Sequence, residues 1–227
     1  MVVGAGAWGL SAAWMLAEDG ARVVLADDGR PSAADVAAGM LAPWSEAEDG
    51  EDALNAVMRR AADAWPAFAA RLAEASGHPS VHVPCGTLLV CARPEDLGRV
   101  RHHGGVIARR PGAAAPAWLT GGALRDMEPG LGPDVAGGFA LPGEHQADAR
   151  AMLAALRAAA QARGVRLVGA AEALLRDRDG RVTGIATVGG GRIACGTVVL
   201  AAGWACSGLA PSVAVRPVKG EVLVLGP

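Results

Sequence analysis

The chain begins M-V-V-G-A-G-A-W-G-L-S-A-A-W-M-L-A-E-D-G-A-R-V-V-L-A-D-D, residues 1–28, and this segment is the most informative about the fold. A short apolar strand leads into the turn Gly4-x-Gly6-x-x-Gly9, and apolar residues at helical spacing follow it. A second apolar strand, over residues 22–26, ends on Asp27. A strand, a glycine-rich turn, a helix and a strand that ends in an acid form the context of a dinucleotide-binding βαβ unit. The sequence therefore predicts a bound adenine dinucleotide, and a purely structural βαβ turn is the alternative.

Each glycine of the turn has a separate expected role. Gly4 permits the tight turn, Gly6 leaves room for a pyrophosphate to approach the backbone, and Gly9 lets the helix pack closely against the sheet. The N-terminus of the helix offers free N–H groups and a partial positive charge to the phosphates. Asp27 lies 18 residues beyond Gly9, where a carboxylate accepts hydrogen bonds from a ribose diol.

Composition restricts the classes of function. The chain has 227 residues, 52% of them apolar and 19% charged, with a net charge of −2, which indicates a globular protein. It contains no tyrosine and no basic face with interleaved aromatic residues, so we expect no nucleic-acid partner. No apolar run reaches the roughly 18–20 residues of a membrane span, and no signal peptide is recognisable, so we expect a cytoplasmic protein without a membrane partner.

Cysteines and histidines do not form a metal-binding pattern. The four cysteines lack C-x-x-C spacing and are expected to be free thiols; they are Cys85, Cys91, Cys195 and Cys206. Pro79 interrupts the spacing of His78 and His82, and His102-His103 falls in a stretch predicted as a loop. We therefore expect no metal site.

Beyond residue 50 the pattern predicts a mixed α/β arrangement. Residues 52–75 form an amphipathic helix that Pro66 should kink or divide, and residues 101–116 read as a loop without periodicity. The turn Asp179-Gly180 predicts a hairpin within a β-meander over residues 170–195.

Two further apolar stretches complete the expected sheet. Residues 197–203 form a strand that ends in Ala-Ala-Gly, and such a strand suits the centre of a parallel sheet whose carboxyl edge faces the cofactor. A final strand is predicted over Glu221–Leu225.

Five motifs together resemble one family: the glycine-rich turn, A-A-G-M-L-A-P at 37–43, L-P-G-E-H-Q-A-D-A-R at 141–150, V-V-L-A-A-G-W at 198–204 and R-P-V-K-G-E at 216–221. The chain resembles the FAD-dependent amine and D-amino-acid oxidases, and within them the glycine oxidases of thiamine biosynthesis. The resemblance covers nearly all 227 residues but only the first part of a family member, which implies a C-terminally truncated sequence.

The resemblance implies that FAD is the cofactor and that a defined set of residues binds it. Those expected at the pyrophosphate turn and the ribose are Gly4, Gly6, Ala7, Trp8, Gly9, Asp27 and Asp28. Those expected near the flavin side are Ala33, Ala34, Ala38, Gly39 and Met40, with Ala173 at the adenine and Ala202, Gly203 and Trp204 over the pyrophosphate.

The resemblance also implies a domain organisation. An α/β fold is expected, in which a Rossmann-like FAD-binding domain with a parallel sheet and a β-meander is interleaved with an α+β substrate domain built on an antiparallel sheet. The FAD-binding domain is assigned to residues 1–80 and 146–211, and a partial substrate domain to residues 81–145 and 212–227.

The implied activity is oxidation of a small amino acid such as glycine, sarcosine or a D-amino acid to the imine, with reduction of O2 to hydrogen peroxide. The product would supply iminoglycine for thiazole synthesis, and the full-length parent is expected to form a homo-oligomer. Three alternatives stay open: an FAD-dependent secondary-amine dehydrogenase, a non-catalytic truncated remnant and a nicotinamide enzyme.

The sequence identifies no catalytic residue. The family's substrate-carboxylate arginine falls beyond residue 227, while Arg216 and Lys219 match a structural turn. The 227 residues alone are therefore expected to bind FAD weakly or not at all and to turn over poorly.

Overall fold

The computed structural model describes residues 1–223. Its strands are β1 (Val2–Val3), β2 (Val24–Ala26), β3 (Met40–Leu41), β4 (His82–Val83), β5 (Thr87–Cys91), β6 (Trp118–Thr120), β7 (Gly137–Leu141), β8 (His145–Ala147), β9 (Arg166–Val168), β10 (Ala171–Arg176), β11 (Val182–Thr187), β12 (Arg192–Ala194) and β13 (Val199–Leu200). Its α-helices are α1 (Ala7–Glu18), α2 (Asp52–Ser76), α3 (Leu97–Ala108), α4 (Gly121–Met127), α5 (Ala149–Ala162) and α6 (Cys206–Leu209). Short 3₁₀ helices cover Ala33–Val36, Pro94–Asp96 and Gly203–Ala205.

The chain forms two compact units. The first contains Met1–Ala38, Ala70–Val81 and, within the described residues, 148–223. The second contains Gly39–Ala69 and His82–Ala147. The assignment of FAD and substrate to separate domains stays a prediction.

The first unit is organised around a parallel sheet with the strand order β13-β1-β2-β9. Val2 lies opposite Val199 on one side and Leu25 on the other, and these pairings are parallel. Helix α1 packs against β1, β2 and α5, because Leu10 and Trp14 recur at helical spacing and both are buried. This arrangement is the βαβ unit that the opening stretch predicts.

An antiparallel meander covers part of the parallel sheet. Its order is β10-β11-β12, and Asp177 accepts hydrogen bonds from the backbone N–H groups of Asp179 and Arg181 in the predicted turn. Ile185 of β11 is fully buried in one cluster with Val3 and Ala26 of the parallel sheet. The predicted hairpin is thus confirmed, and with it the α/β fold with a parallel sheet and a meander.

The second unit is built on two antiparallel three-stranded sheets, β3-β8-β4 and β5-β7-β6. Helices α3 and α4 pack against β7 of the second sheet. Cys91, Val100 and Phe139 form the core cluster between α3 and this sheet. The antiparallel architecture expected for this part of the chain is confirmed.

Three sequence predictions need correction. Residues 101–108, predicted as loop, belong to helix α3, whose Gly104 lies against the ring of Phe139. Helix α2 is not divided, since Pro66 lies inside one continuous helix. Residues 221–223 are not in a strand, and the remainder of the predicted strand Glu221–Leu225 lies outside the described residues.

Candidate dinucleotide site

The glycine-rich turn begins directly after β1, and Gly4 is fixed there by the protein itself. Its backbone has φ +103°, a conformation that favours glycine, and its N–H donates to Ala26 O at 2.8 Å. A Cβ atom on Gly4 would lie 2.4 Å from Ala201 O, which is too close for any side chain. Gly4 is therefore required by the approach of β13 to the turn.

Gly9 is also required by internal packing. A Cβ atom at this position would lie 1.8 Å from Gly4 O and 3.4 Å from the Cβ of Ala201. The first turn of α1 therefore rests directly on the turn that precedes it, so the close contact is with the turn, whereas the sequence pattern predicts one with the sheet.

Gly6 differs from the other two glycines. Its φ of −75° and ψ of −174° are available to every residue type. Within the described residues, a Cβ atom there would meet only Ser32, at 3.6 Å from its Cβ and 3.7 Å from its Oγ. The protein's own packing does not require glycine here, so the open space beside this backbone is available to a ligand.

The N-terminus of α1 presents unpaired donors beside this space. Gly6 is the N-cap and provides no side-chain cap, and the first hydrogen bond onto it comes from Leu10 N, at 3.0 Å from Gly6 O. Among residues 1–223 no acceptor contacts the N–H groups of Ala7 and Trp8. Free N–H groups at a helix N-terminus attract phosphate oxygens, because the helix dipole adds a partial positive charge there.

Asp27 lies at the carboxyl end of β2, next to the turn. Its Oδ2 accepts from Ala5 N at 2.7 Å and its Oδ1 from Gly29 N at 2.8 Å. Because each carboxylate oxygen accepts two hydrogen bonds, both keep capacity for a ribose hydroxyl. Asp27 thus braces the turn as well as offering an acceptor, and the sequence pattern did not predict the bracing role.

Asp28 faces a different partner. Its carboxylate accepts from the backbone N–H and the Nε of Arg30, at 2.9 and 2.7 Å. These bonds, together with the Arg30 charge, lower the pKa of Asp28 below its ordinary value. Asp28 is exposed and forms this local ion pair, while its predicted contact with ribose stays a prediction.

Ser32 is a residue of the site that the sequence reasoning missed. Its N–H and Oγ donate to Asp35 Oδ2 at 2.6 and 2.8 Å, forming a capping box around the 3₁₀ helix that contains Ala33 and Ala34. The Ser32 hydroxyl, followed by its backbone N–H, lowers the pKa of Asp35. The Ser-x-x-Asp spacing of this capping box is the signal that would have identified the residue.

The end of β13 lies against the turn. Ala201 N donates to Val3 O at 2.8 Å, and a Cβ atom on Gly4 would lie 2.8 Å from the Cα of Ala202. Gly203 follows with φ +55°, and the side chain of Trp204 is exposed. The structure thus brings Ala202 to the turn, as the parallel sheet requires.

The remaining predicted residues lie elsewhere. Ala38 is exposed in the first unit, and Ala173 is an exposed residue of β10 that pairs with Ala186. Gly39 and Met40 belong to the second unit, where Gly39 has φ +80° and accepts from Ala147 N at 2.7 Å. A Cβ atom on Gly39 would lie 1.9 Å from Ala147 O, so the pairing of β3 with β8 explains this glycine.

A parallel βαβ unit with this turn defines a dinucleotide-binding protein. A sequence model of the family described as FAD dependent oxidoreductase matches residues 1–227. The chain belongs to this family, and FAD is the family's cofactor. The donors and the open space at Gly6 fit the pyrophosphate of such a cofactor.

Similar individual proteins are consistent with this family assignment. The chain is 33% identical over 226 residues to the bifunctional protein ThiO/ThiG of Trichormus variabilis, covering 98% of this chain and 33% of the relative. It is 35% identical over 170 residues to a putative thiamine biosynthesis oxidoreductase ThiO of Rhizobium etli, covering 74% of this chain and 47% of the relative. Glycine oxidase from Bacillus cereus superposes with a TM-score of 0.81 at 25% identity, covering 93% of this chain and 58% of that structure. The chain therefore spans about a third to a half of the curated relatives it matches.

The described residues contain neither a membrane-spanning helix nor a cluster of metal-binding side chains. In residues 1–223 no helix is long and apolar enough to cross a membrane. Over the same residues, no group of three or more His, Cys, Asp or Glu side chains is arranged to hold a metal ion.

Proposed function

We propose that the turn and the N-terminus of α1 hold the pyrophosphate of FAD. The N–H groups of Ala7 and Trp8 would donate to phosphate oxygens, and Gly6 would let those oxygens approach the backbone. Asp27 would accept hydrogen bonds from the adenosine ribose while it holds Ala5 in place. The single observation that supports this proposal is that neither the dihedral angles of Gly6 nor its protein neighbours require a glycine at this position.

Further contacts with the cofactor are proposed from the family resemblance. They are Asp28 at the ribose, Ala173 at the adenine, Ala202, Gly203 and Trp204 over the pyrophosphate, and Ala33, Ala34, Ala38, Gly39 and Met40 towards the flavin. Backbone and small side chains dominate this set, which suits close approach of a large planar cofactor.

The proposed reaction of the full-length protein is oxidation of a small amino acid (glycine, sarcosine or a D-amino acid) to its imine, with O2 reduced to hydrogen peroxide. FAD supplies the redox chemistry when bound, and the residues described above bind and orient it. Support comes from the similarity to a glycine oxidase and to proteins named for thiamine biosynthesis. On this basis the product would be iminoglycine for thiazole synthesis. We propose a cytoplasmic homo-oligomer, and the free state of all four cysteines fits a reducing compartment.

A peroxide assay tests this function. The full-length polypeptide, loaded with FAD, is supplied with glycine, sarcosine and D-alanine under air, and a dye acceptor replaces O2 in a parallel series. The proposal expects peroxide with at least one of the three substrates, at a rate that exceeds dye reduction. Dye reduction without peroxide would favour a dehydrogenase, and no turnover with any of them would overturn the proposed reaction.

The cofactor assignment has its own test. The 227-residue chain is titrated with ADP, which carries the adenine, ribose and pyrophosphate that the turn is proposed to bind. Saturable binding is expected, with loss of affinity in Gly6→Ala. If ADP does not bind, or binds equally well to Gly6→Ala, the proposed pyrophosphate site is wrong.

A further inference from the structure

The second unit contains a cavity that the dinucleotide site does not use. Its volume is about 390 Å³, within the range of small-molecule sites. Four separate stretches of the chain line it: Pro43 and Trp44; Arg59, Ala62, Asp63 and Pro66 on α2; Gly112; and Gly143 with His145. The lining is mostly apolar and includes one cationic side chain, Arg59, and one carboxylate, Asp63.

Arg59 is held in place at this cavity. Its guanidinium lies over the ring of Trp44, 4.9 Å from the centroid, and its Nη1 donates to Pro111 O. A guanidinium has five N–H donors, and Pro111 is the one hydrogen-bond acceptor found for this side chain among residues 1–223. An arginine that packing already orients is suited to bind a carboxylate, because little further side-chain freedom is lost.

His145 adds a second polar group. Its Nδ1 is buried and has no hydrogen-bond partner within the described residues, and its ring stacks edge-on against His82 at 4.8 Å between centroids. Buried polar atoms in folded proteins nearly always have a partner. A buried, unpartnered ring nitrogen on a cavity-lining residue therefore points to a polar ligand or a bound water.

A buried carboxylate fixes two of the walls to each other. Glu144 is fully buried; its Oε1 accepts from Trp44 N at 2.7 Å and Ser45 N at 2.8 Å, and its Oε2 accepts from Ser45 Oγ at 2.7 Å. These bonds tie the Trp44 wall to the neighbouring lining residues Gly143 and His145. Since an unpaired buried charge is costly, three donors to one carboxylate stabilise this geometry before any ligand arrives.

We propose that this cavity binds a small α-amino acid as its zwitterion. Arg59 would take the carboxylate and Asp63 the ammonium, since residues four apart lie on the same face of a helix. Trp44, Ala62 and Pro66 would contact a short aliphatic side chain. Binding requires neither FAD nor the proposed oxidation, so this inference stands independently of the proposed function.

Ligand-observed NMR on the 227-residue chain tests the proposal with three matched probes: alanine, propionate and ethylamine. Propionate lacks the ammonium of alanine, and ethylamine lacks its carboxylate. Alanine should bind more tightly than either partial probe. Arg59→Gln should weaken alanine and propionate at least about tenfold, because a charge-assisted pair is lost. Asp63→Asn should weaken alanine several-fold and leave propionate unchanged.

Arg60→Gln is the matched control, because Arg60 is the exposed neighbour of Arg59 and does not line the cavity; its affinities should equal the parent's. Asp63 is exposed, so Asp63→Asn keeps the test valid if Arg59→Gln does not fold. Alanine that does not bind, or binds equally to parent and Asp63→Asn, overturns the proposal. Failure here leaves the peroxide and ADP results untouched, so the two proposals fail separately.

Discussion

The sequence predicts that two glycines lie beside the cofactor: Gly6 in the first unit and Gly39 in the second. The physical reason for having a glycine differs between these two positions. Gly39 has φ +80°, and a Cβ atom there would lie 1.9 Å from Ala147 O. Gly6 has an ordinary φ of −75°, and the nearest atom to its Cβ position lies 3.6 Å away. The pairing of β3 with β8 accounts for Gly39, whereas no contact within residues 1–223 accounts for Gly6.

A glycine in a nucleotide-binding motif is therefore evidence for a ligand only when the fold does not already require it. Gly4 and Gly9 are demanded by the contacts of the turn with β13 and α1. Three of these four glycines are therefore structural, and the ligand hypothesis depends on Gly6 and the free N–H groups beside it.

The largest effects are expected at the structural glycines. Gly39→Ala and Gly9→Ala each introduce a contact below 2 Å with a backbone carbonyl oxygen, so each should lower the free energy of unfolding by about 3 kcal/mol or more. Urea denaturation followed by circular dichroism measures this loss. Gly20→Ala is the control: Gly20 has φ +87°, and in the described part of the chain no atom beyond its two chain neighbours lies within 4 Å of its Cβ position, so only the backbone strain of about 1–2 kcal/mol should appear. If Gly39→Ala unfolds like Gly20→Ala, the clash does not govern stability.

Asp27→Asn should have an intermediate effect. One oxygen that accepts from Ala5 N or Gly29 N is replaced by an amide donor, which should cost about 1.5 kcal/mol in the free energy of unfolding. ADP affinity should fall in the same variant, because the turn loses its brace and the ribose loses an acceptor. Asp19→Asn is the matched control, since Asp19 is exposed at the end of α1 opposite the glycine-rich turn, and it should change both quantities little. Equal effects at both aspartates would remove Asp27 from the site.

Ser32→Ala should have a smaller and pH-dependent effect. The Ser32 hydroxyl is the main cause of the lowered pKa of Asp35, so the folded protein favours the ionised carboxylate. That stabilisation is present above the ordinary carboxyl pKa of 3.8 and is lost as the pH falls from there through the lower pKa of the folded state. Urea midpoints of parent and variant should differ at pH 7 and converge below pH 3.8. A difference that is independent of pH would contradict the role given to this hydroxyl.

The parts of the fold that the sequence predicted correctly have local causes. The turn from Gly4 to Gly9, the hairpin at Asp179-Gly180 and the amphipathic helix α5 each depend on residues close together in the chain. Helix α3 was missed because long-range contacts support it. His103 Nε2 lies 2.8 Å from Ser45 O, His102 Nε2 lies 3.1 Å from Asp49 Oδ2, and Gly104 lies against Phe139.

The same distinction applies to the sites. The arrangement of the turn, the helix and the acid was predictable because they follow one another within 27 residues, while their binding of a dinucleotide stays a prediction. The bracing of Ala5 by Asp27 was not, since it depends on the bend of the turn towards β2. The cavity of the second unit was not predictable either, because Trp44, Arg59 and His145 come from distant stretches that only tertiary folding brings together.

Whether a ligand explains Gly6 is tested most directly by Gly6→Ala, measured for both stability and ADP binding in one preparation. Because φ and space at this position accept a Cβ atom, the free energy of unfolding without ligand should stay within about 0.5 kcal/mol of the parent. ADP affinity should nevertheless fall at least about tenfold, since the new methyl group separates the phosphates from the backbone donors. Unchanged ADP affinity, or a loss of stability as large as that of Gly39→Ala, would contradict the conclusion that a ligand explains this glycine.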